Sequence, residues 1–373
     1  MLFRTARHPP GGVVSGIRQD LPPARLPACL PSCSAALRQA HGHDRRREAR
    51  SGPGPLHWRD AGRRGRYPDR VTAPPATAPS IPADASVRSP LHAGEAAARL
   101  GDWLAARRQV FVLTGAGVST GSGIPDYRDA DGAWKRPAPV TWQAFTGDPA
   151  VYRRYWARSN VGWPRFAAAR PNPAHRALAA LEAEGRIATL LTQNVDGLHQ
   201  VAGSRAVIDL HGRLDQVVCL GCGARQLRAD LQPRLLADNP GWSPGAAATA
   251  PDGDADIAAD AEFRFVPPHC RDCGGLLKPD VVFFGENVPR ERVWQAQAAL
   301  DASDGMLVIG SSLMVYSGFR FARRAVDAGL PLAILNRGST RADALAALKL
   351  DAEIGATLAA LPTIGALAQR GAR

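Results

Sequence analysis

The sequence predicts an α/β fold with a Rossmann-like open parallel sheet, into which a small zinc-binding module is inserted. Two observations predict the sheet: short, purely apolar runs recur along the chain, and segments with helical spacing separate several of them. A third observation predicts the module, because two pairs of cysteines interrupt this alternation of strands and helices.

The expected elements begin after residue 90. Apolar residues at helical spacing, from Ala96 to Leu104, precede an apolar run at 110–113 that is typical of a buried parallel strand. Further strands are expected at 188–191, 207–210, 306–309 and 332–335, and helices at 174–184, 291–302 and 318–328.

The first 90 residues differ in composition from the rest of the chain. They contain 15 arginines and 6 acidic residues, a net charge of +9 out of +12, so only +3 remains for the other 283 residues. We expect residues 1–90 to be a disordered Arg/Pro-rich leader and residues 91–373 to be the catalytic domain. The small charge of that domain argues against a nucleic-acid partner, and no apolar run is long enough to span a membrane.

The ratio of arginine to lysine points to the source of the chain. The sequence has 43 arginines and 3 lysines, which is typical of a GC-rich genome and favours a bacterial, cytoplasmic protein. The alternative location is the mitochondrial matrix, if residues 1–90 are a transit peptide. The acidic residues and prolines of this segment argue against a transit peptide and favour a start codon assigned too far upstream. We expect a monomer.

The six cysteines fall into two groups. Cys29 and Cys33 lie in the leader and are expected to be free thiols. The other four form two C-x2-C pairs separated by 47 residues, a pattern that gives four thiolates and no open coordination position. The sequence therefore predicts one structural zinc in a module at approximately 212–285. Its ligands would be Cys219, Cys222, Cys270 and Cys273.

A glycine-rich turn follows the first strand. Its glycines let the backbone approach a pyrophosphate, and free amides at the start of a following helix would supply positive potential. Thr120 stands where G-x-G-x-x-G has its last glycine, so the turn alone predicts a plain tight turn equally well. Its continuation is more specific, because Arg128 offers a bidentate phosphate or carboxylate donor. The cofactor-binding residues expected here are Gly115, Ala116, Gly117, Ser119, Ile124, Pro125, Asp126, Tyr127 and Arg128.

Polar residues also follow the next two strands. Gln193, Asn194 and Asp196 suit ribose hydroxyls and a carboxamide, and His211 ends the strand after them. Because the carboxyl ends of parallel strands meet at one edge, His211 is a candidate general base there. We expect His211, Asn194 and Asp196 to be catalytic, and Gln193, Asn194, Val195 and Asp196 to contact the cofactor. His175, His199 and His269 lack such support and are expected to be structural.

Three further segments lie after strands. Each one alone is as consistent with a structural turn as with a ligand site, and their shared position favours the ligand site. They are Lys278–Glu286, Gly310-Ser311-Ser312 and Asn336-Arg337-Gly338.

In order and in register, these motifs resemble those of the sirtuins over about residues 95–362. Tyr127, the run from Arg154 to Pro164 and Val315-Tyr316-Ser317 resemble the class II branch, which includes the fourth mammalian sirtuin and bacterial homologues. The resemblance implies an NAD-dependent protein-lysine deacylase of the deacetylase type, with NAD as co-substrate and one structural Zn²⁺. The products would be nicotinamide, acyl-ADP-ribose and free lysine, and the partners acyl-lysine proteins.

The resemblance also implies roles for individual residues. His211 would deprotonate a ribose hydroxyl, and Ile354 would make a backbone contact at the adenine end. Val281, Val282, Phe283 and Gly285 would pair with the substrate backbone. Sirtuins that prefer acidic acyl groups carry a Tyr-x-x-Arg pair, for which 130–160 shows no clear match.

Other functions stay open or are disfavoured by particular residues. Mono-ADP-ribosyl transfer and the removal of longer acyl or lipoyl groups remain open. The altered glycine motif at Thr120 disfavours an ordinary dehydrogenase, and the intact His211, Asn194 and Asp196 disfavour a non-catalytic scaffold.

Overall fold

The structure is a computed structural model that describes residues 90–127, 135, 139–243, 248–249, 253–256 and 262–361. The predicted leader therefore lies outside the described residues, apart from Pro90. In chain order, the helices and strands are α1 Ala93–Ala105, β1 Val110–Thr114, α2 Trp142–Gly147, α3 Pro149–Ala168, α4 Pro173–Ala183, β2 Ile187–Thr192, α5 Leu198–Val201, β3 Val207–Asp209, β4 Gly212–Cys219, β5 Arg225–Leu227, α6 Arg228–Asp238, β6 Ala248–Thr249, β7 Ala255–Asp256, β8 Leu277–Val281, α7 Arg290–Asp301, β9 Gly305–Ile309, α8 Tyr316–Asp327, β10 Leu332–Leu335, β11 Leu348–Leu350 and α9 Ile354–Ala359.

A six-stranded parallel sheet forms the larger part of the described fold, as the sequence predicts. Its strand order is β11-β10-β9-β1-β2-β3, with β1 paired to β2 on one side and to β9 on the other. Alternate side chains of a strand point to opposite faces. Val110 and Val112 accordingly pack in one core with α1, α4 and α9, while Phe111 and Leu113 pack in another with α7 and α8. Apolar cores on both faces explain why β1 is apolar throughout.

The strand order places a crevice beside β1. The chain first moves from β1 to β2 and β3, and later returns to the other side of β1 with β9 and β10. The loops after β1 and β9 therefore leave the sheet in opposite directions, at the position where open α/β sheets bind ligands. The turn after β1 forms two 3₁₀ turns, Ala116–Val118 and Thr120–Ser122, instead of the helix start expected from the sequence.

The start of α4 supports this turn. Asn172 is the N-cap: its Oδ1 accepts from the amide of Ala174 at 2.9 Å, and His175 Nδ1 accepts from the amide of Asn172 at 3.3 Å. Asn172 Nδ2 also donates to the carbonyl of Val118 at 2.7 Å. The cap therefore fixes the glycine-rich turn, and His175 has a structural role within it.

The cysteine pairs belong to a smaller module with its own core. In it, β4 is the central strand of an antiparallel sheet in the order β5-β4-β8, and β6 pairs with β7. The core also contains Phe145 of α2 and Tyr152, Tyr155 and Trp156 of α3, which pack with Val217 of β4. The segment of α2 and α3 therefore joins the module, although it precedes β2 in the chain. No helix among the described residues is long and apolar enough to cross a membrane.

Candidate active site

A cavity of about 350 Å³ lies at the carboxyl ends of β1, β2, β9 and β10, and the loop after β8 forms another of its walls. It brings together residues that are far apart in the sequence. The predicted cofactor-binding residues that line it are Gly115, Ala116, Gly117, Ser119, Ile124, Pro125, Asp126, Tyr127, Gln193, Asn194, Val195, Asp196, Gly310, Ser311, Ser312, Asn336 and Arg337. The predicted base and substrate-binding residues His211, Val281, Val282, Phe283 and Gly285 also line it.

The glycine turn after β1 lies directly against the turn after β9. The amide of Gly117 donates to the carbonyl of Gly310 at 2.9 Å. A Cβ atom added at Gly115 would lie 2.7 Å from the carbonyl oxygen of Gly310, and one at Gly117 would lie 2.9 Å from its Cα atom. Real Cβ atoms do not come this close, so both positions require glycine. The absence of side chains also leaves the backbone exposed to a ligand.

Asn194 and Asp196 are held by Ser119 on the floor of the cavity. Asn194 Nδ2 donates to Ser119 Oγ and to the carbonyl of Gly115, both at 3.1 Å. Ser119 Oγ donates to Asp196 Oδ2 at 2.7 Å, and the amide of Leu198 donates to Asp196 Oδ1 at 2.8 Å. Since the hydroxyl of Ser119 has one proton, its acceptance of the Asn194 hydrogen bond leaves that proton for Asp196. The network fixes an amide and a carboxylate side by side.

The hydrogen bonds of His211 define its tautomer. Nδ1 lies 3.0 Å from the carbonyl oxygen of Gln193, and Nε2 lies 2.8 Å from Ser317 Oγ. A carbonyl oxygen can only accept, so Nδ1 carries the proton and donates it to Gln193. In the neutral ring, Nε2 then has a lone pair that can receive a proton. Gln193 is held in turn, because Ser311 Oγ donates to its Oε1 at 2.7 Å.

The surroundings of His211 favour its neutral form. Burial is the main cause that lowers the pKa of His211 to about 4. The hydrogen bond to Gln193 opposes this shift, while the cations of Arg320 and Arg292 add to it. At neutral pH, His211 is therefore unprotonated and has a lone pair for a proton, while the same shift makes it a weaker base than an ordinary histidine.

Three predicted cofactor-binding residues are not found at the wall of the cavity. Arg128 lies outside the described residues. The amide of Gly338 donates to Asp351 Oδ1 at 3.3 Å, and Ser339 lines the cavity in its place. Ile354 begins α9 and is buried in the core beneath the sheet. These three assignments stay predictions from the sequence.

Several residues that line the cavity were not predicted as site residues. They are Pro139, Val140, Tyr155, Phe166, Leu214, Phe284, Glu286, Val288, Val315, Ser317 and Ser339. Val315 and Ser317 belong to a segment that the family resemblance includes, and Phe284 and Glu286 lie inside Lys278–Glu286. Tyr155 likewise lies in the run from Arg154 to Pro164, whereas for Phe166 and Leu214 an apolar side chain at a position buried by tertiary contacts leaves no local signal in the sequence.

One expectation from the sequence needs correction. The stretch 130–160 does contain the Tyr-x-x-Arg spacing, at Tyr155 and Arg158. Tyr155 lines the cavity, but Arg158 Nε donates to the carbonyl of Ala255 at 2.9 Å and lies 4.0 Å from Asp254 Oδ2. The guanidinium is therefore engaged with the segment around β7, and Arg158 is not part of the cavity wall.

The four predicted zinc ligands form one cluster in the small module. The sulfur atoms of Cys219, Cys222, Cys270 and Cys273 all lie within 4.8 Å of one another. Two separations are 3.5 Å, between Cys219 and Cys273, and 3.8 Å, between Cys222 and Cys270. Sulfurs bound at about 2.3 Å around a tetrahedral ion would be about 3.8 Å apart, so the cluster fits zinc.

The glycine after the second cysteine pair also suits a metal site. The amide of Gly275 donates to Cys273 Sγ at 3.4 Å, and a Cβ at Gly275 would lie 3.2 Å from the sulfurs of Cys219 and Cys273. Such amides stabilise thiolates. The site has four protein donors, which leaves a tetrahedral ion no open position, so the metal would be structural.

Comparisons with known proteins agree with this geometry. The Sir2 family model matches residues 115–317. An NAD-dependent protein deacetylase of Xanthomonas campestris pv. campestris is 62% identical over 262 residues, covering 70% of this chain and 89% of the relative. A solved structure of Sir2 with a p53 peptide and NAD+ is 32% identical, with a TM-score of 0.58, and covers 72% of this chain and 98% of that one. A Sir2 variant with deacetylated p53 peptide and 3'-O-acetyl ADP-ribose is likewise 32% identical, with a TM-score of 0.58, and covers 71% and 96%.

Proposed function

The chain belongs to the Sir2 family, which is the sirtuin family that its motifs predict, and on this premise we propose that it is an NAD-dependent protein deacetylase. It transfers the acyl group of an acylated protein lysine to the ADP-ribose part of NAD and consumes one water molecule, with release of nicotinamide and free lysine. NAD is a co-substrate, and the four-cysteine cluster holds one structural zinc. The catalytic domain is the part after residue 90, with the zinc module inserted near 212–285.

The position and tautomer of the His211 ring are the observation that carries this proposal. Because Nδ1 donates to Gln193, Nε2 of the neutral ring has the lone pair, and the side chain lines the same cavity as Asn194 and Asp196. NAD, when bound, would supply the ribose carbon to which the acyl oxygen bonds as the bond to nicotinamide breaks. His211 removes a proton from a ribose hydroxyl in the following step. Since the ring is fixed by Gln193, the base needs little reorganisation to reach that hydroxyl.

The other polar residues orient the two halves of the nucleotide. Asn194 and Asp196, held by Ser119, bind the nicotinamide ribose and its carboxamide. The exposed backbone at Gly115 and Gly117 would accommodate the pyrophosphate, and Asn336 and Arg337 line the part of the cavity after β10. In this scheme, the turns after β1, β2, β9 and β10 each hold one part of NAD.

The substrate peptide binds at the small-module side of the cavity. In the described sheet, β8 pairs only with β4, and its continuation meets Thr141 at Phe284, so an added strand would pair with the backbone before Phe284. Val281, Val282 and Phe283 supply this backbone, and Gly285 also lines the cavity. Backbone pairing gives affinity with little dependence on peptide sequence. The partners are acyl-lysine proteins, and the chain acts as a monomer in the bacterial cytoplasm without binding nucleic acid or membranes.

The apolar part of the cavity wall bears on which acyl group the enzyme removes. The resemblance to the class II branch leaves acyl groups longer than acetyl open, and the apolar wall of Tyr155, Phe166 and Leu214 offers them contacts. Deacylation of longer acyl or lipoyl groups is therefore the second candidate function.

An assay over acyl-lysine peptides, from acetyl to lipoyl, tests the proposal. Mass spectrometry should detect free lysine peptide and acyl-ADP-ribose in equal amounts, only when NAD is present. If the label of adenine-labelled NAD were transferred to protein and no free lysine formed, the activity would be mono-ADP-ribosyl transfer instead.

A further inference from the structure

A buried lysine lies beside the loop that would receive the substrate. Lys278 is on β8, and only 6% of its side chain is exposed. Its Nζ donates to the carbonyl of Val281 at 2.6 Å and to Glu286 Oε2 at 2.9 Å. The rings of Trp142 and Phe283 lie 5.3 and 5.1 Å from the ammonium. A cation this well enclosed is strongly held by its acceptors, because water cannot replace them.

The carboxylate of Glu286, which lies at the opposite end of the loop 281–286 from Lys278, also bonds to the backbone of this loop. Glu286 Oε2 also accepts from the amide of Phe283 at 2.9 Å, and the amide of Glu286 donates to the carbonyl of Phe283 at 3.0 Å. The ion pair therefore engages the carbonyl of Val281 and the amide of Phe283, so the intervening Val282 has both neighbours fixed. Gly285, at φ +79°, provides the turn that brings Glu286 back.

The same loop is bonded directly to the candidate base. The amide of Val282 donates to the carbonyl of His211 at 2.8 Å. On its far side, the amide of Trp142 donates to the carbonyl of Phe284 at 2.8 Å, and Gln143 Nε2 donates to the carbonyl of Gly285 at 3.2 Å. These bonds hold the loop against the backbone of His211 on one side and against the start of α2 on the other.

We propose that Lys278 and Glu286 are positioning residues that hold the loop 281–286 in the shape required to bind the acyl-lysine peptide. The inference rests on the proposed deacetylase function and names a part of the chain that acts on the peptide and not on NAD. The glycine turn, Asn194 and Asp196 belong to other elements and do not depend on this ion pair. Loss of the pair should therefore weaken peptide binding and leave NAD binding intact.

The double variant Lys278→Met with Glu286→Leu tests this directly. Replacing a buried ion pair by apolar side chains of similar size is often neutral for stability. Removing only one partner leaves the other charge buried without a counter-ion, which destabilises the fold. The double variant also removes the acceptor of the Phe283 amide. We expect the KM for an acetyl-lysine peptide to rise about tenfold, with kcat and the KM for NAD within about twofold of wild type.

Two further variants serve as controls. Glu286→Gln keeps an acceptor for Lys278 and for Phe283 but removes the negative charge beside Lys278, so its peptide KM should lie between those of the wild type and the double variant. Arg324→Met removes an exposed ion pair between α7 and α8, Arg324 with Asp301, and should leave both KM values unchanged. Melting temperature and zinc content establish that each variant is folded.

The outcomes separate this inference from the proposed function. A folded double variant with the wild-type peptide KM, or with equal rises in both KM values, overturns the inference. Peptide affinity is also measured without turnover, by fluorescence anisotropy of a labelled acetyl-lysine peptide. If the wild-type protein bound this peptide without deacetylating it, the proposed function would be wrong. The comparison of peptide affinity between the wild type and the double variant would still test the role of Lys278 and Glu286.

Discussion

His211 Nε2 lies 2.8 Å from the hydroxyl oxygen of Ser317, at the second residue of α8. Because Nδ1 donates to Gln193, the Ser317 hydroxyl donates to the lone pair of Nε2. The candidate base therefore has a protein partner at the atom that must receive the substrate proton. A hydroxyl can rotate, so the same Ser317 can accept from Nε2 once that atom is protonated.

Ser317→Ala should slow deacetylation with little effect on substrate binding. The ring keeps its bond to Gln193 but loses the partner that serves both protonation states, so kcat should fall about tenfold. Ser317→Thr retains the hydroxyl and should recover most of the rate. Steady-state kinetics with acetyl-lysine peptide and NAD measure both variants, and an alanine variant with the wild-type kcat would contradict the role of Ser317.

Stability should fall as the pH is lowered from about 6.5 towards 4. Burial lowers the pKa of His175 to about 4 and that of His199 to about 3, and that of His211 is about 4, against an ordinary value of 6.5. Between these values the unfolded chain binds more protons than the folded one, so acid favours unfolding. Each histidine contributes up to about 1.4 kcal/mol per pH unit in this window.

Urea unfolding at several pH values measures this dependence. His199 is completely buried, so His199→Leu should reduce the slope between pH 6.5 and 4 by about one proton. The same slope in the variant and in the wild type would show that His199 does not titrate in this way.

Cys270→Ser should release zinc and unfold the small module. Cys270 is buried in the core that also contains Phe145 and Tyr152. The free energy of zinc binding, on the order of 10 kcal/mol in zinc-finger peptides, is coupled to folding. We expect less than one zinc per chain by atomic absorption and a lower melting temperature by circular dichroism. Cys29→Ser, in the predicted leader, is the matched control and should change neither; full zinc content in Cys270→Ser would refute the four-cysteine site.

The sheet was largely predictable because its strands are buried on both faces. The run predicted at 110–113 is observed as Val110–Thr114, and that at 306–309 as Gly305–Ile309. The edge strand β11, Leu348–Leu350, was missed, because it has three residues and includes Lys349. The helix α3, Pro149–Ala168, was missed although its buried aromatic residues fall at helical spacing, because the polar Ser159 and Asn160 are buried with them and Pro164 lies inside the helix.

The candidate site was predictable where residues follow a strand in the sequence. Gln193, Asn194 and Asp196 follow β2 directly, so the topology of the sheet alone brings them to the carboxyl edge. The contact between His211 and Ser317 joins residues 106 positions apart, and no local pattern encodes it. Long-range side-chain contacts of this kind require the folded structure.

Deacetylation by a His211→Ala variant is the most direct test of the central claim, that a neutral His211 acts as the base of an NAD-dependent deacetylase. Mass spectrometry of an acetyl-lysine peptide with NAD should show that the wild type forms free lysine peptide and acetyl-ADP-ribose. The variant should be folded, with wild-type zinc content, and its turnover should fall at least about 100-fold. Turnover at the wild-type rate in this variant would contradict the account.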